Sequence, residues 1–283
     1  MFKTMLAALA FSAVVAPQAH AWSAEGHRLT GMVAEGLLSP DAKAGLKKLM
    51  GKVDLAAASL VLDQQKDALD QRIPGSRKWH YDDRPVCDAA AKPASYCPDG
   101  NCASVQIQHY YGVLVDEHST RKDKQFAVQV LVHLVGDIHQ PLHASDHDDA
   151  GGNAVFVDFT LPSGTQRHNV KLHSAWDDAF VAAALGTANE RAIAKGLLDK
   201  ISESERKEWQ RGSATSWLRQ SYKIAVDTTY GKLPGFACTD DDFASENLVL
   251  DDDYVKAAIA VVPQQISRAG ARIAWLLNRA FAK

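Results

Sequence analysis

The stretch from Gln125 to Leu142 is apolar on almost every face: Phe126, Val128, Val130, Leu131, Leu134, Val135 and Ile138 leave no side for solvent. A helix of that kind is buried. Through it runs a polar line, Gln129, His133 and Asp137, at steps of four and therefore on one face. A carboxylate beside an imidazole in a core is costly unless something compensates. The plainest account is a satisfied His–Asp pair. Pro141, however, loosens or ends the helix, and the turn can return His143 to the side of Asp137. The run H-x3-D-x5-H then offers two imidazoles and a carboxylate, a set that suits zinc.

The same kind of reading predicts helices over Glu25–Leu38, from the Ser39-Pro40-Asp41 cap to near Gly51, and over Asp54–Leu69 and Ser104–His118. Later helices are expected over Asn189–Lys200, Ser213–Tyr230 and Asp251–Ala282, with Pro263 as a kink or boundary in the last. The alternating run Val155–Phe159, the turn Pro162-Ser163-Gly164 and a polar return to Val170 predict one β-hairpin. Leu172 to Asp178 opens a further helix, with His173 and Asp177 again at i, i+4. The chain is therefore mainly α, with one small hairpin.

The first residues change where this fold is expected to work. Met1-Phe2-Lys3 is followed by an apolar run, Met5 to Ala16, too short to span a membrane, and then by Ala19-His20-Ala21. This is the pattern of a secretory signal peptide, residues 1–21, cleaved after Ala21. The product begins at Trp22, carries no membrane anchor and is expected in a periplasm or outside the cell, as a monomer. Removing Lys3 moves the formal net charge from −3 to −4. That argues against a basic face gripping long duplex nucleic acid, but not against a local site that meets one or two phosphates through metals. Residues 22–283 show no repeat or linker and fit one domain.

Four cysteines, Cys87, Cys97, Cys102 and Cys238, read as two disulfides in an exported chain. Three pairings are open from the sequence alone; local closure of Cys97 with Cys102, the expected one, leaves Cys87 to reach Cys238. A cysteine metal site is disfavoured because no C-x2-C pair exists.

Candidate chemistry is spread along the chain. A free Trp22 amine and its carbonyl can chelate a metal, with His27 about one helical turn away. Asp63 and Lys66 lie on one predicted helix; Arg77 to Pro85, containing His80, Tyr81 and Asp83, reads as a site loop. Asp146, His147, Asp148 and Asp149 lead into Gly151-Gly152-Asn153, where glycine lets backbone approach a ligand. Each has a bland account: a buried Trp anchor, solvated carboxylates and lysine, a packed Tyr. His109, His118, His147 and His168 are read as ordinary, and His139 as structural.

Taken together, Trp22-x4-His27, Asp63, His80, H-x3-D-x5-H at 133–143 and H-x3-D at 173–177 resemble the S1/P1 nuclease family, in order and type, along most of the chain. The resemblance implies a mostly helical fold of the phospholipase C/P1 nuclease type with three zinc ions. Asp63, His80, His133 and Asp137 would hold one; Asp137 would bridge to a second, bound by Trp22 and His27; His143, His173 and Asp177 would hold the third. Asp67 is the alternative to Asp63, because the spacing from Asp63 to His80 is slightly longer than the family's; Val61-Leu62 also stands where the family has Trp-Ala. Zinc would supply a Lewis acid for phosphodiester hydrolysis that leaves a 5′-phosphate. By the same resemblance Asp63 and Lys66 are catalytic, Lys66 clamping phosphate, while Tyr81 stacks on a base and Asp83 and Asn153 read base edges. Stacking needs an unstacked base, hence single-stranded DNA and RNA as substrates, with nucleotides through 3′-nucleotidase activity.

Two other functions compete. A zinc phospholipase C-like phosphodiesterase would carry H-x3-E at the last ligand pair, where this chain has Asp177. A non-catalytic zinc or disulfide-stabilised secreted protein would have lost ligands. The acidic residues 146–149 are expected to repel polyanions and to raise the dependence on salt or divalent ions.

Overall fold

In the computed structural model, residues 22–186, 188–239 and 247–282 are described; the signal segment 1–21 and its cleavage point lie outside them. The buried central helix runs Arg121–Asp137, four residues earlier than its apolar run suggests. Thr120 sets that start. Its hydroxyl accepts from the Asp123 N–H, and the Asp123 carboxylate accepts from the Thr120 N–H, a reciprocal cap. The helix ends at Asp137, and after Pro141 the chain turns once as the 3₁₀ segment Pro141–His143.

Three helices enclose this one: Ala24–Gly36, Ala103–Val115 and the C-terminal Asp252–Ala280. The first and last cross closely. A Cβ on Gly270 would stand 2.5 Å from Val33, so only glycine permits the approach. Two apolar clusters result. One surrounds the central helix and includes Trp217 and Leu277; the other contains Trp22, Trp176, Phe180 and Tyr254. His133 and Asp137 interrupt residues of the first cluster, while His27 and Asp177 lie among residues of the second, so the polar group is buried where the two meet.

The expected hairpin is present as β1 (Phe156–Thr160) antiparallel to β2 (Gln166–Lys171). A third strand, β3 (Leu248–Val249), pairs parallel with β1. Two residues carry no period, so the sequence could not announce it.

The reading of Asp54–Leu69 as one helix is corrected. The segment forms three short helices, Leu55–Ala58, Val61–Gln64 and Lys66–Arg72. Asp54 caps the first through the Ala57 N–H, and the Ser59 hydroxyl donates back to the Ala56 carbonyl at 2.7 Å. The Ser59 carbonyl faces the His133 ring at 2.6 Å instead of continuing the helix. Pro263 is not a boundary: the 29-residue C-terminal helix runs through it, with Val262 and Ile266 buried on either side. A further helix, Glu203–Trp209, was not anticipated, although Ser202-x-x-Glu205 is a capping box legible in the sequence. The helix expected from Leu172 is interrupted by a π segment, Ala175–Ala179, which carries Asp177.

Disulfides join Cys87 to Cys238, 151 residues apart, and Cys97 to Cys102. In a chain-entropy account the long closure contributes about 5 kcal/mol and the short one less.

Candidate metal centre

The central helix places His133 and Asp137 one turn apart, His133 Nε2 lying 3.3 Å from Asp137 Oδ2. His80, at the end of the 3₁₀ segment Ser76–His80, brings Nδ1 to 3.0 Å from the same oxygen and 3.0 Å from His133 Nε2. Asp63 Oδ1 stands 3.6 Å from His133 Nε2 and 3.8 Å from His80 Nδ1. Asp67, the alternative, is 68% exposed and pairs with Arg77, away from the group. The other oxygen of Asp137 faces His27, Oδ1 to Nε2 3.2 Å. Asp137 thus divides its carboxylate between two sets of neighbours. His27 also stacks on His133, 4.1 Å between ring centres. Trp22 is fully buried; its indole N–H donates to the Gly136 carbonyl at 3.0 Å, and the Ser23 N–H donates to the Asp177 carbonyl at 2.9 Å.

A second group forms where the Pro141–His143 turn meets the π segment. His143 Nε2 and His173 Nε2 are 3.0 Å apart, and Asp177 Oδ2 lies 3.4 Å from His173 Nε2. The opposite nitrogens are held by main chain: His143 Nδ1 by the His80 carbonyl at 2.7 Å, His173 Nδ1 by the Gly151 carbonyl at 2.6 Å. A carbonyl only accepts, so each Nδ1 carries the proton and each neutral ring turns the lone pair of Nε2 into the group. Two lone pairs facing each other repel unless a cation lies between or beside them. The orphaned atoms agree: His27 Nδ1, Asp137 Oδ1 and Asp177 Oδ2 are buried without a hydrogen bond among the described residues. All these donors are imidazole nitrogen and carboxylate oxygen, which fits zinc. The remaining candidate cluster, Asp82 with Cys97 and Cys102, is spent, because those sulfurs form a disulfide.

Burial pushes the His143 ring down to about 3, with His173 beside it adding to the effect. Burial likewise takes His173 down to about 4. Both are therefore neutral and ready to bind a cation. Burial lifts the Asp177 carboxyl well above the usual carboxylate range. Burial works against His133, yet Asp137 and then Asp63 hold its ring up at about 9. Asp137 stays well below the carboxylate range: burial opposes this, but His133 and the His27 and His80 imidazoles set against it prevail.

Lys66, Tyr81, Asp83 and Asn153 line a cleft of about 250 Å³ that opens onto His80, His143 and His173. Asp83 is raised to about 7 by burial and by Asp146 close by. The Asn153 amide donates to the Ala150 carbonyl, which leaves its oxygen unassigned. All five expected histidines and the three expected aspartates are thus drawn into two adjoining groups, with the expected substrate residues at their mouth.

Several contributors were not foreseen. Gln140 donates to Asp177, and Ser59 supplies the carbonyl on His133. Asp82 is buried and caps the Ala103–Val115 helix through Ser104, tying the Tyr81 loop to that helix. The acidic loop is also more structural than charge counting implies. Asp146 accepts from the Gly151 and Asp148 N–H groups, and Asp149 from the Gly152 N–H and the Tyr230 hydroxyl. Gly151 has φ +61, and a Cβ there would sit 2.8 Å from the Leu142 carbonyl, so glycine is required where the loop presents its carbonyl to His173. The Gly-Gly-Asn run was the legible signal for this turn.

The S1/P1 Nuclease family model matches residues 22–282. Endonuclease 2 of Arabidopsis thaliana is 28% identical over 282 residues, covering 94% of this chain and 92% of its own. Nuclease S1 of Aspergillus oryzae is 25% identical, covering 91% of each chain. Nuclease P1 of Penicillium citrinum is 23% identical, covering 91% of this chain and 97% of its own. A match that spans the whole described fold and every residue of the buried His–Asp groups leaves one conclusion: this chain belongs to the S1/P1 nuclease family.

Proposed function

We propose that this nuclease is an exported endonuclease holding three zinc ions, which hydrolyses phosphodiester bonds of single-stranded DNA and RNA to 5′-phosphate products and also acts as a 3′-nucleotidase. The observation that carries the reading is the pair of bare imidazole nitrogens of His143 and His173 at 3.0 Å, beside the divided carboxylate of Asp137. Asp63, His80, His133 and Asp137 would hold one ion. Trp22, through its freed amine and carbonyl, would hold a second with His27 and Asp137, and His143, His173 and Asp177 the third. Bound zinc lowers the pKa of water and neutralises the departing oxygen.

The rest of the work falls to the protein. Lys66 sits in the cleft as a point charge for the phosphate. Tyr81 offers a ring to an unstacked base, and Asp83 and Asn153 offer polar atoms to base edges. Asp63, facing His133 and His80, completes the anionic side. The N-terminal ligand requires removal of residues 1–21, so export and zinc loading are coupled. No helix among the described residues is long and apolar enough to cross a membrane, and we read the product as a monomer.

Protein made in two forms tests this. One is exported and begins at Trp22; the other keeps a methionine before Trp22. The exported form is expected to cut single-stranded DNA and RNA, and the extended form to hold one zinc fewer and lose most activity. Equal zinc in both forms with no cleavage of nucleic acid by either would sink the reading and favour a lipid phosphodiester or a binding role.

A further inference from the structure

We propose that Gln140 is a positioning residue whose single amide fixes both an imidazole and a carboxylate of the His143–His173–Asp177 group. This rests on the reading of that group as a zinc site. Gln140 is fully buried between the end of the central helix and Pro141. Its Nε2 donates to Asp177 Oδ1 at 2.8 Å, and its Oε1 accepts from the Leu142 N–H at 2.6 Å. Its main chain joins the same parts: the Gln140 N–H donates to the Asp137 carbonyl, and the Gln140 carbonyl accepts from the His143 N–H.

The two side-chain contacts allow one amide orientation only. Exchanging oxygen and nitrogen would set an oxygen against the carboxylate and an NH₂ against the Leu142 N–H. The consequence lies in Asp177. With Oδ1 occupied, Oδ2 is the oxygen left facing His173 Nε2, and it has no hydrogen bond of its own. Oδ2 is thus the oxygen that Asp177 turns toward His173 and would offer to a cation held there. Through Leu142, the same amide holds the turn that carries His143. A residue in this position orients ligands without touching the reacting atoms.

The experiment uses the exported, zinc-loaded protein and reads zinc affinity by competition with a metallochromic chelator, with circular dichroism as the check on folding. Gln140→Met removes both contacts, and Gln140→Asn keeps an amide too short to make both. Each is expected to weaken one zinc by about 10–100-fold and leave the others unchanged. Adding Gln140→Met to Asp177→Asn is expected to cost less than it does alone, because part of its effect runs through Asp177. Zinc affinity unchanged in a folded Gln140→Met or Gln140→Asn protein, while Asp177→Asn weakens one zinc, overturns the proposal alone. Failure of both Gln140 variants to fold overturns it too, and assigns the amide to the core. If Asp177→Asn leaves every zinc as tightly held as before, the zinc-site reading fails, and this inference fails with it.

Discussion

His143 and His173 meet nitrogen to nitrogen at 3.0 Å, each ring held from behind by a main-chain carbonyl. Neither ring can rotate away without breaking its carbonyl contact, and neither Nε2 carries a proton to share. The pair is preorganised for a cation. His143→Ala should therefore remove one zinc and lower kcat by about 10²-fold or more, while the far-ultraviolet spectrum is retained. Metal analysis beside a nuclease assay decides it. Full zinc content in the variant would show that this pair is not a ligand pair.

The same burial predicts how zinc-free protein responds to acid. The folded rings of His143 and His173 sit at about 3 and about 4, against about 6.5 in an unfolded chain. As pH falls below about 6.5, the unfolded state takes up protons that the folded state refuses, so stability drains until about pH 4 for His173 and about pH 3 for His143. His133, held at about 9, acts in the opposite sense: its contribution is full below about pH 6.5 and is lost as pH rises toward 9. Asp83 and Asp177, both raised by burial, act against the loss in acid because the folded state takes up their protons first. The test is therefore a difference: between pH 7 and pH 4.5 the thermal midpoint of chelator-treated His143→Gln protein should fall less than that of wild type. An equal slope in wild type and variant would count against the assigned burial.

Much of the centre was legible because its ligands sit on regular spacings. His133 and Asp137, like His173 and Asp177, are four apart, and Pro141 announces the turn that returns His143. What was not legible depends on contacts between distant segments. No local pattern tells that the Ser59 carbonyl will leave its helix for His133, 74 residues on, where Asp54–Leu69 makes the first of its two breaks. The π segment at Ala175–Ala179 is equally silent, since its residues read as helix at any pitch. Helix packing decided both against local propensity.

Lys66 lies in the cleft, partly buried, and in the proposed function it meets the phosphate. Lys66→Met keeps the stem and removes the charge. It should lower kcat/KM about 100-fold on both DNA and RNA, with zinc content unchanged. A loss confined to one substrate, or a loss of zinc, would point to a different role.

Tyr81 presents its ring at the cleft while its carbonyl is held by the Ala103 N–H. If the ring stacks on a base, Tyr81→Ala costs about 1–3 kcal/mol in substrate binding, and Tyr81→Phe costs little, because the π-face is kept. KM values on short single-stranded oligonucleotides separate the two. Equal damage from both changes would assign the effect to the hydroxyl and not to stacking.

The acidic loop gives two outcomes that charge alone would merge. Asp148 is exposed, so Asp148→Asn should change only the salt dependence of cleavage. Asp149 is buried, bonded to the Gly152 N–H and to the Tyr230 hydroxyl, and it anchors the turn whose Gly151 carbonyl holds His173. Asp149→Ala strands a buried hydroxyl and N–H, which costs about 1–3 kcal/mol and loosens that carbonyl. It should therefore lower the melting temperature and the affinity for one zinc together. Tyr230→Phe removes one of the two partners and should fall between Asp149→Ala and wild type. If Asp148→Asn and Asp149→Ala shifted salt dependence equally and left zinc and stability alone, the loop would be an electrostatic fence. The hydrogen bonds from Gly152 and Tyr230 argue that it is instead a brace for His173.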